Sequence, residues 1–174
     1  MCDFHYNYIN IKYSDKAKLL FTDTDSLAYE IKTKDFYKNI NPGIEKLFDS
    51  SDYPINHPSG ITTGLNSKVL GMFKNETGGK QIVEFVGLRA KFYSYQMLDG
   101  SEDKKCKGVP KNNTKRSIQF VDYREFLFSR QDQHRKTNVI RSHCYEIYTE
   151  SINKIAFSLL MMTNDLLWPT KYTL

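Results

Sequence analysis

The sequence predicts an α+β fold built on antiparallel hairpins, and three observations carry that expectation. Apolar residues alternate with period two beside polar turns, most clearly at Leu27, Tyr29 and Ile31 after Asp23-Thr24-Asp25-Ser26. Helical spacing occurs only in short, separate stretches. The chain has 174 residues, 40% hydrophobic and 14% aromatic, which suits one ordinary domain or a piece of a larger protein. That composition excludes a disordered or collagen-like chain.

Met1, Phe4, Tyr8 and Ile11 recur at helical spacing and predict that the chain opens within an amphipathic helix. Leu19-Leu20-Phe21 reads as a strand, residues 22–26 as a polar turn and residues 27–31 as the return strand, which puts two carboxylates at a hairpin tip. Asp35 is placed to cap a short helix of Phe36, Tyr37 and Ile40, interrupted by Pro42-Gly43 and continued by Ile44, Leu47 and Phe48. Residues 49–66, rich in Ser, Asp, Pro, Gly and Asn, read as a loop. β-Formers dominate 69–73 and 81–97, with 76–80 the turn between them and Asp99-Gly100-Ser101 closing the second stretch. Residues 118–128 suit a helix with Phe120, Tyr123, Leu127 and Phe128 on one side, and 138–155 alternates as a strand does.

Charge is unevenly spread. Residues 101–141 hold 11 Lys and Arg against 5 Asp and Glu, a net of +6, whereas the rest of the chain holds 14 against 15. Phosphate neutralisation requires such a concentrated patch, although a solvated basic surface has the same composition. Cys2, Cys106 and Cys144 are odd in number and far apart, so reduced thiols in an intracellular chain are expected rather than a disulfide framework. No apolar run approaches the ~20 residues of a membrane helix, and no signal peptide is expected.

Most chemical templates fail. Thr77-Gly78-Gly79-Lys80-Gln81 lacks the upstream glycine and the following Ser or Thr of a phosphate-binding P-loop. There is no Gly-x-Ser-x-Gly elbow, and His5, His57, His134 and His143 do not stand at zinc-finger spacing from cysteines. Asp23-Thr24-Asp25 is different because of its context. With 12 Asp in the chain, an Asp-x-Asp pair arises about once by accident, and a polar turn is the plainer reading of the bare pair. At a hairpin tip, however, paired carboxylates repel unless a cation neutralises them. Mg²⁺ takes a few carboxylates together with substrate phosphates, as nucleotidyl transfer by paired metals requires.

Leu-Leu-Phe-Thr-Asp-Thr-Asp-Ser-Leu at 19–27 resembles motif C of family B DNA polymerases, usually Tyr-x-Asp-Thr-Asp-Ser. Leu88-Arg89-Ala90-Lys91-Phe92-Tyr93 resembles the Lys-x-Tyr motif that follows it in the same palm domain, and Lys104-Lys105-Cys106-Lys107-Gly108-Val109 is similar to the family's passage from palm to thumb. Order and separation both fit, over roughly residues 1–155, and the joint match is more specific than any part. The likeness is to protein-primed polymerases of the organellar and viral type, including those of Polinton (Maverick) transposons.

The resemblance implies a fold and a division of labour. The fold would be an incomplete α+β domain: an antiparallel palm sheet on the motif C hairpin, then a small thumb. Residues 1–100 would be the C-terminal part of the palm, 101–155 the thumb-like basic segment, and 156–174 an unmatched tail. Asp25 would be the main motif C ligand for Mg²⁺, with Asp23 beside it. Lys91 and Tyr93, assisted by Arg89, would meet the primer terminus. Lys104, Lys105, Lys107, Lys111, Lys115 and Arg116 would line the duplex without reading its sequence. The implied partners are primer–template DNA, deoxynucleoside triphosphates and a terminal protein primer, with no membrane. The compartment would be the nucleus if a host-integrated element encodes the chain.

Motif A (Asp-x-x-Ser-Leu-Tyr-Pro) and motif B (Lys-x-x-x-Asn-Ser-x-Tyr-Gly) do not occur in the chain. Motif A supplies the partner aspartate of the metal pair, so the expectation is a DNA-directed DNA polymerase fragment that is inactive alone. The competing readings are a DNA-binding remnant without chemistry and an inert product of a decayed mobile element.

Overall fold

The computed structural model describes residues 1–161 and 172–173. The expected tail over 156–174 falls largely outside the described residues. The chain is a mixture of short helices and small, mostly antiparallel sheets, in two compact units, Met1–Ile82 and Val83–Leu174. Among the described residues, no helix is long and apolar enough to cross a membrane.

The first unit opens with a π-helical segment, Phe4–Ile9, running into α1 (Asn10–Tyr13). Its buried residues are Phe4, Ile9 and Tyr13, whereas Ile11 is exposed. The expected stripe of Met1, Phe4, Tyr8 and Ile11 assumed 3.6 residues per turn. Phe4 and Tyr8 do pack on the core, but the wider π turn carries Ile9 and Tyr13 inward and leaves Met1 and Ile11 exposed. A single helical turn then leads to β1 (Ala17–Asp23) and β2 (Ser26–Ile31), an antiparallel hairpin with a bulge between Leu19 and Phe21. Leu27, Tyr29 and Ile31 pack it against the core of Phe4, Ile9, Ile40, Ile44 and Phe48. The hairpin is a two-stranded sheet of its own, not the start of a larger one.

Asp35 caps α2 (Phe36–Ile40) through an Oδ1 that accepts the Lys38 N–H at 3.1 Å. Pro42-Gly43 lies in a 3₁₀ turn before α3 (Ile44–Leu47), and Phe48 leaves the helix to begin β3 (Phe48–Asp49). β3 pairs in parallel with β4 (Phe73–Lys74), and Phe73 stacks on Phe4 at 3.9 Å between ring centroids. The strand expected over 69–73 thus shrinks to its end. Val69 and Met72 donate their N–H groups to turn carbonyls, and Gly71 has φ +85°.

Asn66 anchors the long loop between β3 and β4 by donating to the Glu45 and Phe48 carbonyls, orphans of the α3 end. Asp49 is a second anchor. Its carboxylate accepts from the Ser51 and Lys68 N–H groups and pairs with Lys74 at 3.8 Å.

The second unit carries an antiparallel meander of β5 (Ile82–Arg89), β6 (Phe92–Met97) and β7 (Glu102–Cys106), with the short β10 (Tyr172–Thr173) on the far side of β5. After α4 (Lys111–Ser117), α5 (Phe120–Ser129) lays Phe120, Tyr123 and Phe126 on the sheet. β7 and α4 lie in the charged stretch, where no apolar periodicity announced them.

A capping box starts α5. Asp122 accepts the Gln119 N–H at 2.7 Å and holds Arg135 at 2.8 Å, while Glu102 accepts the Phe120 N–H. β8 (Gln133–His143) and β9 (Glu146–Phe157) form a long ribbon whose Phe157 meets Phe92, Tyr123 and Phe126 in the core. Its tip residues Cys144 and Tyr145 both have positive φ, 50° and 68°, the two-residue turn that matches strand twist.

Candidate functional site

The hairpin tip is the first element of the site. Asp23 pairs with Ser26 as the last rung of the ladder, leaving Thr24 and Asp25 as the loop. Asp25 N–H donates to the Asp23 carbonyl at 2.5 Å, and Thr24 between them has φ 49°. A hydrogen bond spanning three residues around a positive φ is the rarer, strained γ-turn, and a β-branched residue is unusual at its centre. Thr24 hydroxyl also donates to Asp23 Oδ1 at 3.3 Å. Asp23 is half-buried and Asp25 exposed.

Glu76 was not foreseen. Ser26 Oγ donates to its Oε1 at 3.0 Å, across fifty residues of sequence. A lone glutamate in a turn carries no sequence mark, so only the fold could reveal it. Its turn, residues 75–80, is strongly determined: Asn75 Oδ1 accepts from both Thr77 N–H and Thr77 hydroxyl, and Gly78 and Lys80 N–H close onto Asn75 and Thr77 carbonyls.

Among the described residues, no three His, Cys, Asp or Glu side chains form a group able to hold a metal ion. Asp23 and Asp25 are thus the only carboxylates the tip itself offers a cation; Mg²⁺ in general completes its shell with water and substrate phosphate rather than an all-protein cage.

The other expected residues belong to the second unit. Lys91 is not on a strand but in the turn joining β5 to β6, at φ 58°, and its carbonyl accepts the Lys107 N–H at 3.1 Å. Tyr93 lies on β6, 6% exposed, its ring stacked between those of Phe85 and Tyr95. Arg89 sits over the Phe92 ring at 5.7 Å.

The basic residues divide by strand period. Lys104 has a side chain only 10% exposed, ion-paired with Glu102. Lys105 points the other way, opposite Tyr93, and Lys105 and Lys107 are exposed. Lys111, Lys115 and Arg116 are exposed on α4. The chain shows no significant match to a protein-family model, a curated protein or a solved structure.

Proposed function

We propose that the chain is a palm-and-thumb fragment of a protein-primed family B DNA polymerase, whose parent reaction adds deoxynucleotides to a 3′-hydroxyl with release of pyrophosphate. The observation that carries this reading is the tip of β1 and β2: two aspartates at the end of a packed hairpin, in the sequence frame Thr-Asp-Thr-Asp-Ser. Asp23 and Asp25 hold the cation, and Ser26 and Glu76 steady the tip. Bound Mg²⁺ supplies charge neutralisation for the attacking oxygen and the leaving phosphate. Lys91, with Arg89 and Tyr93, serves the primer terminus, and the exposed Lys105, Lys107, Lys111, Lys115 and Arg116 neutralise duplex phosphates whatever the sequence. The partners are primer–template DNA, deoxynucleoside triphosphates and a terminal protein primer.

Primer extension tests the reading. With Mg²⁺ and a primed template, the chain alone is expected to synthesise nothing, since the partner aspartate is not in it. Joined to a palm segment bearing motifs A and B, it is expected to extend the primer, and Asp25→Asn should abolish that extension. Extension unaffected by Asp25→Asn overturns the assignment. Duplex binding with no extension in the joined form would mark a DNA-binding remnant instead.

A further inference from the structure

Three aromatic side chains of the first unit surround one backbone carbonyl. Gly79 O accepts from Tyr37 hydroxyl at 2.8 Å and from His57 Nε2 at 3.1 Å, so both lone pairs are used. A carbonyl only accepts, which makes Nε2 the donor and leaves Nδ1 to accept from the Ser59 N–H and hydroxyl at 3.3 and 2.6 Å. Tyr53 completes the box, edge-on to Tyr37 and His57 at 5.9 and 5.6 Å.

The box holds the far end of one turn. Tyr37 hydroxyl donates to the Gly79 carbonyl, and burial pushes its pKa up to about 12. On the strand before the turn, Lys74 is staked to Asp52 at 2.8 Å and to Asp49 at 3.8 Å. Glu76 therefore projects from a backbone fixed on either side of it, and its carboxylate reaches Ser26, next to Asp25. A purely apolar box would fill the same space. Aiming a hydroxyl donor and a ring N–H donor at one turn carbonyl instead fixes the turn's orientation, and with it the direction of Glu76.

We propose that Tyr37 and His57 are positioning residues for the Asp23–Asp25 tip, acting through Gly79 and Glu76 on Ser26. This rests on the reading of Asp23 and Asp25 as cation ligands. Supporting groups one shell out commonly govern affinity about tenfold or more.

The test uses the full chain and Mn²⁺ as the probe, with free Mn²⁺ read by electron paramagnetic resonance and folding by urea titration. Tyr37→Phe and Glu76→Gln are each expected to weaken Mn²⁺ binding about tenfold. The double variant should bind no more weakly than Glu76→Gln alone, because one route is cut twice. His57→Gln, which keeps a donor for Gly79 O, should retain affinity that His57→Phe loses, and this pair decides the matter if Tyr37→Phe does not fold.

Unchanged affinity in Tyr37→Phe, or additive losses in the double variant, overturns the positioning role. Asp25→Asn separates the two levels of inference. If it leaves Mn²⁺ binding intact, or if the wild type binds none, the tip is not a cation site and both readings fall.

Discussion

Replacing Gly79 with alanine should remove much of the first unit's stability margin, and the structure separates the two causes. Gly79 has φ +84°, a conformation that costs an L-residue about 1–2 kcal/mol. A Cβ there would also stand 2.7 Å from Tyr53 Cδ1 and 3.0 Å from two atoms of the His57 ring. Both rings are held by the hydrogen bonds and ring contacts of the box, so neither swings aside freely. Overpacking of that kind costs about 1–3 kcal/mol, which brings the expected loss to about 2–5 kcal/mol.

Gly60 is the matched control. Its φ is +66°, and a Cβ there meets nothing within 4 Å, so Gly60→Ala carries only the backbone cost. Urea midpoints of the two variants, read by circular dichroism, should differ by the steric part alone. Equal losses at Gly79 and Gly60 would refute the box as a rigid enclosure.

Other outcomes follow from the same structure. Phe157 is fully buried among Phe92, Tyr123 and Phe126, so Phe157→Ala should cost about 3–5 kcal/mol in urea titration; a loss below about 1 would show that the ribbon base is not core. In salt titrations on two unrelated duplexes, the Lys105→Ala, Lys107→Ala pair should flatten the slope by about 0.9 for each phosphate no longer neutralised. Lys104→Ala should change that slope little, because Lys104 is already paired with Glu102. Equal effects from all three lysines would contradict the two-faced strand. The Asp49 carboxyl is held down at about 2, first by its hydrogen bonds with Ser51 and then by the Lys68 N–H and Lys74. Its contribution to stability is therefore complete above the ordinary carboxylate value near 4 and lost as pH falls towards 2. Asp49→Asn should lower stability at neutral pH and flatten that acid limb, as urea midpoints taken across the window would report.

What could be read from the sequence was what depends on neighbours along the chain. The Asp35 cap, the break at Pro42-Gly43 and the hairpin at 19–31 all follow from residues within a few positions of one another. The failures are equally physical. A π turn changed which residues of the opening helix face inward, bringing Tyr13 and Ile9 in and leaving Ile11 out. The ribbon turn at Cys144-Tyr145 uses two left-handed residues with no glycine or asparagine to signal it. β7 formed from Glu-Asp-Lys-Lys-Cys because pairing with β6 satisfied its backbone, not because its side chains favour a strand.

For the candidate site, Asp23 and Asp25 were legible and their support was not. Two-stranded hairpins are marginal in water by themselves, and Leu27, Tyr29 and Ile31 pack the stem of this one against the core rather than its tip. At the tip, Thr24 holds a positive φ worth about 1–2 kcal/mol of strain. The hydrogen bond from Ser26 to the Glu76 carboxylate is exposed and worth about 1 kcal/mol, the same order as that strain. A balance so close means that the tip keeps its conformation only while Glu76 is held in place. Residues 37, 53, 57 and 79 do the holding, and none of them lies within ten positions of either aspartate.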